Sequence, residues 1–292
     1  KMIRIEIDRD DLLDKIEEAK PGWIEASKKL TKEVENDPSL ELKSNWSAIK
    51  KVYMKIQHSK CMFCEKNLEE QPVEQDVEHF RPKKKVYHWS VPKEMSKEGV
   101  SVVQPAKAAE EGYRLLTYNR LNYGASCKTC NTSKKKNFFP IAGRTRQANS
   151  KNPALMKTEK AYLLYPISDL DEDPEDLIEF HGCSPQARQS GGFGRKRALV
   201  TIDIFDLDND GARAHLYRRR AELIWMLFGN LNLLVSQDQD EQENAEKVVE
   251  ALLSKTYEHT NCLRSFARLY GADRDEAREI ANFALELFTS KS

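Results

Sequence analysis

Two pairs of cysteines, far apart in the sequence, constrain this chain more than any other feature. Cys61 and Cys64 form the first C-x-x-C pair, and Cys127 and Cys130 form the second. Each pair can chelate one side of a metal ion from a tight turn, and two pairs complete the tetrahedral shell that zinc prefers. His58, just before the first pair, is an alternative ligand, but four thiolates already suffice. We therefore expect one structural zinc site that joins two distant chain segments.

The segment between the cysteine pairs carries residue types suited to hydrolysis assisted by a hard cation. Asp76, Glu78 and His79 lie close together, and Asn122 comes five residues before the second cysteine pair. A neutral histidine can accept a proton from water, while carboxylate and amide oxygens can hold Mg²⁺ or another divalent ion. If Glu78 and His79 share a strand they point to opposite faces, so both reach one ion only at a bend or bulge. The plainer alternative is a buried structural histidine in a zinc-stapled binding module.

Charge is unevenly distributed along a chain whose formal net charge is zero. Residues 51–160 contain 22 Lys and Arg against 11 Asp and Glu, so the remaining residues carry the opposite excess. A basic segment between acidic flanks is typical of one phosphate-facing surface, although ordinary solvated lysines give the same count. The expected phosphate contacts are the basic residues nearest the histidine and the second cysteine pair, namely Arg81, Lys83, Lys84, Lys85, Lys134, Lys135 and Lys136.

Hydrophobic patterning predicts an α+β protein, in which a small zinc-stapled strand–turn–strand–helix core is embedded in helices. We expect a mostly helical segment at 1–58, the core at 59–145 with an insertion at 84–112, and a mainly helical region with a short hairpin at 146–292. The predicted strands are 2–7, two within 163–180 on either side of an acidic loop, and 198–205, with a β-hairpin within 61–83 and a hairpin turn at 184–196. The predicted helices are 11–20, 23–35, 46–58, 212–235, 241–255 and 260–270, and Asp273 with Glu276 forms a capping box for a last helix.

The motifs around the cysteines resemble those of the HNH, or ββα-metal, nuclease family. The shared set is C-x-x-C, V-E-H-F-R-P-K, Y-x-x-L-x-Y-x-x-x-N, S-C-x-x-C-N-x-x-K-K and F-P. It looks like the set found in HNH nucleases of prokaryotic antiviral systems, including the nuclease subunits of Septu and of some retron systems. The resemblance covers roughly residues 61–220 and leaves the N-terminal helices and about the last seventy residues outside it.

This resemblance implies a role for each matching residue. His79 corresponds to the general base, and Glu78 and Asn122 correspond to ligands of the catalytic ion, while the four paired cysteines form the structural zinc site. The histidine that gives the family name its third letter directly follows the last cysteine, and here that position is Asn131. Asp76 is the candidate to supply the missing carboxylate or to brace His79.

The resemblance also implies an activity: a metal-dependent endonuclease that nicks or cuts DNA as an effector of anti-phage defence. Two alternatives stay open, an RNA-cleaving HNH toxin and an inactive zinc-organised nucleic-acid-binding adaptor of a partner ATPase. The chain has no ATPase motif, so activation by a nucleoside triphosphate would have to come from such a partner. We expect a cytoplasmic protein without a membrane segment, because paired cysteines without a signal peptide indicate metal binding and the most apolar run is short.

Overall fold

The computed structural model describes residues 2–68, 74–103 and 112–290. Helices dominate it, and two small antiparallel sheets complete it, so the predicted α+β class is confirmed. The strands are β1 Gln75–His79, β2 Tyr123–Cys127, β3 Ile178–His181 and β4 Ser184–Ala187. The helices are α1 Arg9–Ala19, α2 Trp23–Asn36, α3 Lys50–Ile56, α4 Lys93–Lys97, α5 Pro174–Leu177, α6 Gly192–Ile204, α7 Ala214–Leu233, α8 Gln239–Leu253, α9 Thr260–Ala272 and α10 Arg274–Thr289.

The N-terminal helices form largely where the hydrophobic spacing predicts them. Asp8 caps α1 through a hydrogen bond from the backbone N–H of Asp10, and Leu12 and Ile16, one turn apart, are buried. The predicted helix 46–58 begins instead as a 3₁₀ turn and becomes α-helical only at α3. The predicted strand 2–7 is wrong, because only Ile5 makes a strand-like pairing, a single bridge to Ile167.

The central sheet joins two segments that are distant in sequence. β1 pairs antiparallel with β2, with Glu78 opposite Gly124 and His79 opposite Tyr123. The hairpin predicted within 61–83 is therefore wrong for the described residues, and residues 69–73 lie outside them. Gly124 is required by packing, since a Cβ there would lie 2.2 Å from the sulfur of Met62.

A helical turn with π-type hydrogen bonding, Thr129–Lys135, follows β2 and completes the predicted strand–turn–strand–helix unit. The expected insertion at 84–112 contains the short helix α4, and its residues 104–111 lie outside the described part of the chain.

Two predictions fail in the middle of the chain. The hairpin turn lies between β3 and β4, where Gly182 has a φ of +57°, and not within 184–196. Residues 198–205 lie mostly in α6 and do not form a strand. The helix is buried on several sides, with Val200, Thr201 and Ile202 all inaccessible or nearly so, so its sequence lacks the polar face that marks a surface helix.

Two hydrophobic clusters organise the packing. The first extends from Met2 to Leu216 and includes the N-terminal helices, the cysteines and the β1–β2 sheet. The second packs the β3–β4 hairpin against α7, α8, α9 and α10. Within the described residues, the structure contains no helix with the length and apolarity needed to cross a membrane.

Candidate metal centre and active site

The four paired cysteines come together in one buried cluster. Their sulfur atoms all lie within 4.8 Å of one another, and none is in a disulfide. Zinc–sulfur bonds of about 2.3 Å at tetrahedral angles place neighbouring sulfurs about 3.8 Å apart. The 3.9 Å between the sulfurs of Cys64 and Cys127 matches that spacing. The cluster therefore fits a metal ion such as zinc, and the predicted donor set is present.

Arg213, which comes directly before α7, lies against this cluster. Its side chain is fully buried, and its Nη2 donates a hydrogen bond to the sulfur of Cys130 at 3.1 Å. Burial opposes its charge, but the sulfurs of Cys130, Cys64 and Cys127 together outweigh burial and raise the pKa of Arg213. A shell of four thiolates around Zn²⁺ carries a net charge of about −2. The guanidinium compensates part of this charge from inside the protein.

A second buried cation, Lys60, ties the first cysteine turn to the C-terminal helices. Its ammonium donates to the backbone carbonyls of Lys255 and Tyr257, each at 2.7 Å, and lies 3.8 Å from Glu65. Gln57 adds a clamp on the other side, because its amide bonds both the N–H and the carbonyl of Ala125 in β2. These contacts fix the turn relative to the sheet.

His79, the last residue of β1, is held rigidly inside the protein. Its ring packs edge-on against Trp46, with centroids 4.7 Å apart, and against Tyr123, at 5.0 Å. Its Nε2 lies 3.1 Å from the carbonyl oxygen of Thr117, which can only accept, so Nε2 carries the proton. Burial, together with the nearby charge of Lys83, lowers the pKa of His79 well below its usual range. The ring is therefore neutral at neutral pH, with its lone pair on Nδ1.

Lys83 covers that lone pair. Its ammonium lies 3.3 Å from Nδ1 of His79 and 4.4 Å from the centroid of the Trp46 ring. The lysine thus occupies the position from which a water molecule would deliver its proton to the histidine.

Glu78 lies on the opposite face of β1 from His79. The strand pairs in regular register from Gln75 to His79, so it lacks the bend or bulge that would bring both side chains to one ion. The Glu78 carboxylate is buried and forms an ion pair with the fully buried Lys135, whose ammonium also donates to the backbone carbonyl of His79. Burial raises the pKa of Glu78, while Lys135 opposes this shift. Lys135 was expected to contact phosphate, and its burial argues against that role.

Asn122 is fully buried and makes three hydrogen bonds to the backbone. Its Oδ1 accepts from the N–H of Arg81 at 2.8 Å, and its Nδ2 donates to the carbonyls of Arg81 and Leu116. The side chain thereby fixes the chain directly after His79. Its predicted role as an ion ligand stays a prediction, and these contacts support a bracing role for it.

Asp76 and Asn131 meet at a shallow cleft of about 360 Å³ that Trp46, Lys50 and Thr132 also line. The Nδ2 of Asn131 donates to the Asp76 carboxylate at 3.0 Å. Asp76 lies on the Glu78 face of the strand and so does not brace His79, contrary to one of the two roles expected for it. Within the described ranges, the four cysteines are the one group of three or more His, Cys, Asp or Glu side chains close enough to share an ion. A divalent ion near Glu78 would therefore need oxygen atoms from water and substrate.

The predicted phosphate contacts fall into two sets. Lys84, Lys85 and Lys136 are exposed, and Lys83 is half-buried beside His79. Lys134 is partly exposed and forms an ion pair with Asp206 at 2.5 Å. Arg81 is buried and bound to Glu159 at 3.0 Å, so it does not belong to an exposed lysine surface.

Sequence reasoning missed the residues that hold this arrangement together: Trp46, Gln57, Lys60, Thr117 and Arg213. Thr117 acts through its backbone carbonyl, so its side-chain type carries no signal. Lys60 lies directly before Cys61, and a lysine beside a metal-binding turn was the available hint. Arg213 is 83 residues from Cys130, and no local pattern links them.

Comparison with known proteins gives one significant relative. The chain is 28% identical over 243 residues to the Septu protein PtuB of Bacillus mycoides (strain KBAB4), and the alignment covers 79% of this chain and 73% of that protein. No protein-family model and no solved structure matches the chain.

Proposed function

We propose that the chain is a metal-dependent HNH endonuclease that cuts DNA as part of an anti-phage defence system. The surroundings of His79 carry this proposal: a buried, neutral imidazole with a fixed tautomer, at the end of β1, which pairs with the strand that carries Cys127 of the cysteine cluster. A general base needs a lone pair that can accept a proton, and at Nδ1 that lone pair faces the Lys83 ammonium and not a backbone donor. The similarity to Septu PtuB and the HNH-like motifs support the defence role.

In the proposed reaction, Lys83 acts as a gate. An incoming phosphate attracts the Lys83 ammonium away from the His79 Nδ1, because a phosphate is a stronger partner for a cation than a neutral imidazole is. A water molecule then takes the vacated place and gives its proton to Nδ1 as its oxygen attacks the phosphorus. Departure of Lys83 also removes a positive charge from beside the imidazole, which makes it a stronger base.

Glu78 is the residue that would hold a divalent ion, which requires its carboxylate to leave Lys135 and the end of β1 to bend so that Glu78 and His79 reach the same phosphate. Mg²⁺ commonly binds proteins through one or two carboxylates together with substrate phosphate, so a single buried carboxylate is compatible with it. Such an ion would supply charge neutralisation at the departing 3′ oxygen, and scission of that bond would leave 5′-phosphate and 3′-hydroxyl ends. Asn122 would keep the chain after His79 in place through its bonds to Arg81.

The test is cleavage of supercoiled plasmid with Mg²⁺, Mn²⁺ or EDTA. We expect His79→Ala to lose cleavage by at least about 100-fold, because a general base contributes about 10²–10⁴-fold. The exposed His88 supplies the matched control, and His88→Ala should cut like the wild type. Cleavage by His79→Ala at the wild-type rate, or products that DNA ligase cannot reseal, would contradict the proposal.

RNA is the competing substrate, and a parallel assay on total RNA separates the two. Preferential cleavage of RNA in the same metal-dependent, His79-dependent manner would favour the toxin alternative. If neither nucleic acid is cut by the chain alone, addition of a candidate partner ATPase tests whether a partner is required. Binding without cleavage in that mixture would favour an inactive adaptor.

A further inference from the structure

A cavity of about 400 Å³ lies on the other side of the chain that follows His79. Phe80 and Arg81 line it, together with the rings of Tyr165 and Phe193 and the rim lysines Lys157 and Lys160. It shares no lining residue with the cleft at Asp76 and Asn131, and none of the six predicted phosphate-binding lysines lines it. The proposed nuclease chemistry gives this cavity no role.

Arg81 presents unused hydrogen-bond donors there. The residue is 8% exposed, and its Nε donates to Glu159 at 3.0 Å. Its two terminal nitrogens have no acceptor among residues 2–68, 74–103 and 112–290, and they keep contact with solvent. Glu159 is already shared with the hydroxyl of Tyr113 and the N–H of Gln147. A largely desolvated guanidinium with free terminal nitrogens favours an anionic oxygen ligand.

The net charge at the rim of the cavity also favours an anionic ligand. The acidic side chains of the cavity are largely compensated within the protein, because Asp169 pairs with Arg9 at 2.8 Å and Arg197 is shared by Asp171 and Glu172, which leaves one negative charge against the two rim lysines. Lys157 and Lys160 are exposed, and neither makes an ion pair within the part of the chain that the structure describes. The uncompensated charge of the cavity is therefore positive.

The remaining lining is apolar, with Leu121, Met156, Leu170 and the accessible ring of Phe193, while the side chains of Phe80 and Tyr165 are nearly buried, at 3% exposure each. A planar ring system packs well against such a lining, and the volume is in the range of small-molecule sites. The guanidinium of Arg81 is itself held by the ring of Phe139, 5.2 Å from its centroid, so it keeps its orientation without a ligand.

We propose that this cavity binds a nucleoside 5′-phosphate, with the phosphate on Arg81 and the rim lysines and the base against the apolar lining. The group could be a free nucleotide or the 5′-phosphorylated end of a strand, since both present the same chemistry. The site does not depend on nuclease activity, so it is tested with the His79→Ala protein.

The experiment is calorimetric titration of the full chain with adenosine 5′-monophosphate, adenosine and inorganic phosphate. The monophosphate should bind at least tenfold more tightly than either fragment, because only it reaches both the guanidinium and the apolar lining. The double variant Lys157→Ala/Lys160→Ala should weaken that binding at least tenfold. Lys151→Ala is the control, since Lys151 is exposed, pairs with Glu35 and does not line the cavity.

Competition by a short single strand identifies the source of the ligand. Displacement of the nucleotide by a 5′-phosphorylated strand, but not by its 5′-hydroxyl form, assigns the site to strand ends. No displacement by either strand assigns it to free nucleotides. Absence of measurable binding of the monophosphate at millimolar concentration, or binding that the double lysine variant leaves unchanged, would overturn the proposal.

Discussion

Replacement of Arg213 by methionine should weaken zinc binding without removing any zinc ligand. The variant keeps an apolar stem of similar length but loses the hydrogen bond to Cys130 and the buried positive charge. Outer-shell partners of metal ligands are typically worth 10–100-fold in metal affinity, or about 1.4–2.7 kcal/mol. We expect Arg213→Met to fall within that range in a competition titration against a chromogenic chelator.

Without metal, the same substitution should leave the stability of the protein unchanged or raise it. The Nε and Nη1 of Arg213 are buried with no hydrogen-bond partner. Methionine therefore removes one hydrogen bond, the one to the Cys130 sulfur. If the cysteines are neutral thiols once zinc is removed, Arg213 is a buried charge without a charged partner, and its removal should be neutral or stabilising. The loss of melting temperature on adding EDTA should therefore be smaller for Arg213→Met than for the wild type. Arg218→Met, within α7 and bonded to the Ser290 carbonyl and not to a cysteine, is the control. Wild-type zinc affinity in Arg213→Met would refute this account of the cluster.

Three further substitutions test the packing and the surface. Gly124→Ala should cost about 1–3 kcal/mol of stability in thermal unfolding, because its Cβ would overlap the buried Met62 sulfur, whereas Gly229→Ala in open space on α7 should be neutral or stabilising. Asn122→Ala removes three buried hydrogen bonds and should destabilise by on the order of 3 kcal/mol in urea unfolding, while the exposed Asn36→Ala should change little. Alanine at Lys84, Lys85 and Lys136 should reduce the slope of the logarithm of the DNA-binding constant against the logarithm of the salt concentration by up to about 0.9 per lysine. An unchanged slope would exclude this surface. Alanine at Lys28, Lys29 and Lys32 on α2 is the matched control.

Sequence reasoning succeeded where local chemistry determines local structure. The cysteine spacing predicted the cluster because metal chelation needs few residues, and the amphipathic patterns predicted α1, α2 and α7–α10 with small errors at their ends. The capping prediction for α10 holds in part, since the Asp273 side chain accepts from the N–H groups of Asp275 and Glu276. Prediction from hydrophobic patterning failed at α6, where burial on several sides removes the periodic signal that separates helix from strand.

The detail of the candidate site could not be read from motifs, because it depends on contacts between distant segments. The V-E-H-F-R-P-K motif groups His79 with Arg81 and Lys83, yet the fold separates their environments. His79 and Lys83 contact each other, whereas Arg81 lines a different cavity and pairs with Glu159. The alternation of side chains along a strand also puts Glu78 and His79 on opposite faces, as the sequence analysis anticipated.

The predicted boundaries at 58 and 145 stay predictions, but the contacts argue against three independent units. The first hydrophobic cluster contains residues from all three predicted segments. Lys60 crosses the second boundary to the carbonyls of Lys255 and Tyr257, and Arg213 crosses it to Cys130. An isolated 59–145 fragment would therefore expose the Lys60 ammonium and lose the charge that faces the cysteines. The sheet that carries His79 and the packing of the C-terminal helices are consequently expected to unfold in one transition, whose temperature falls when zinc is removed.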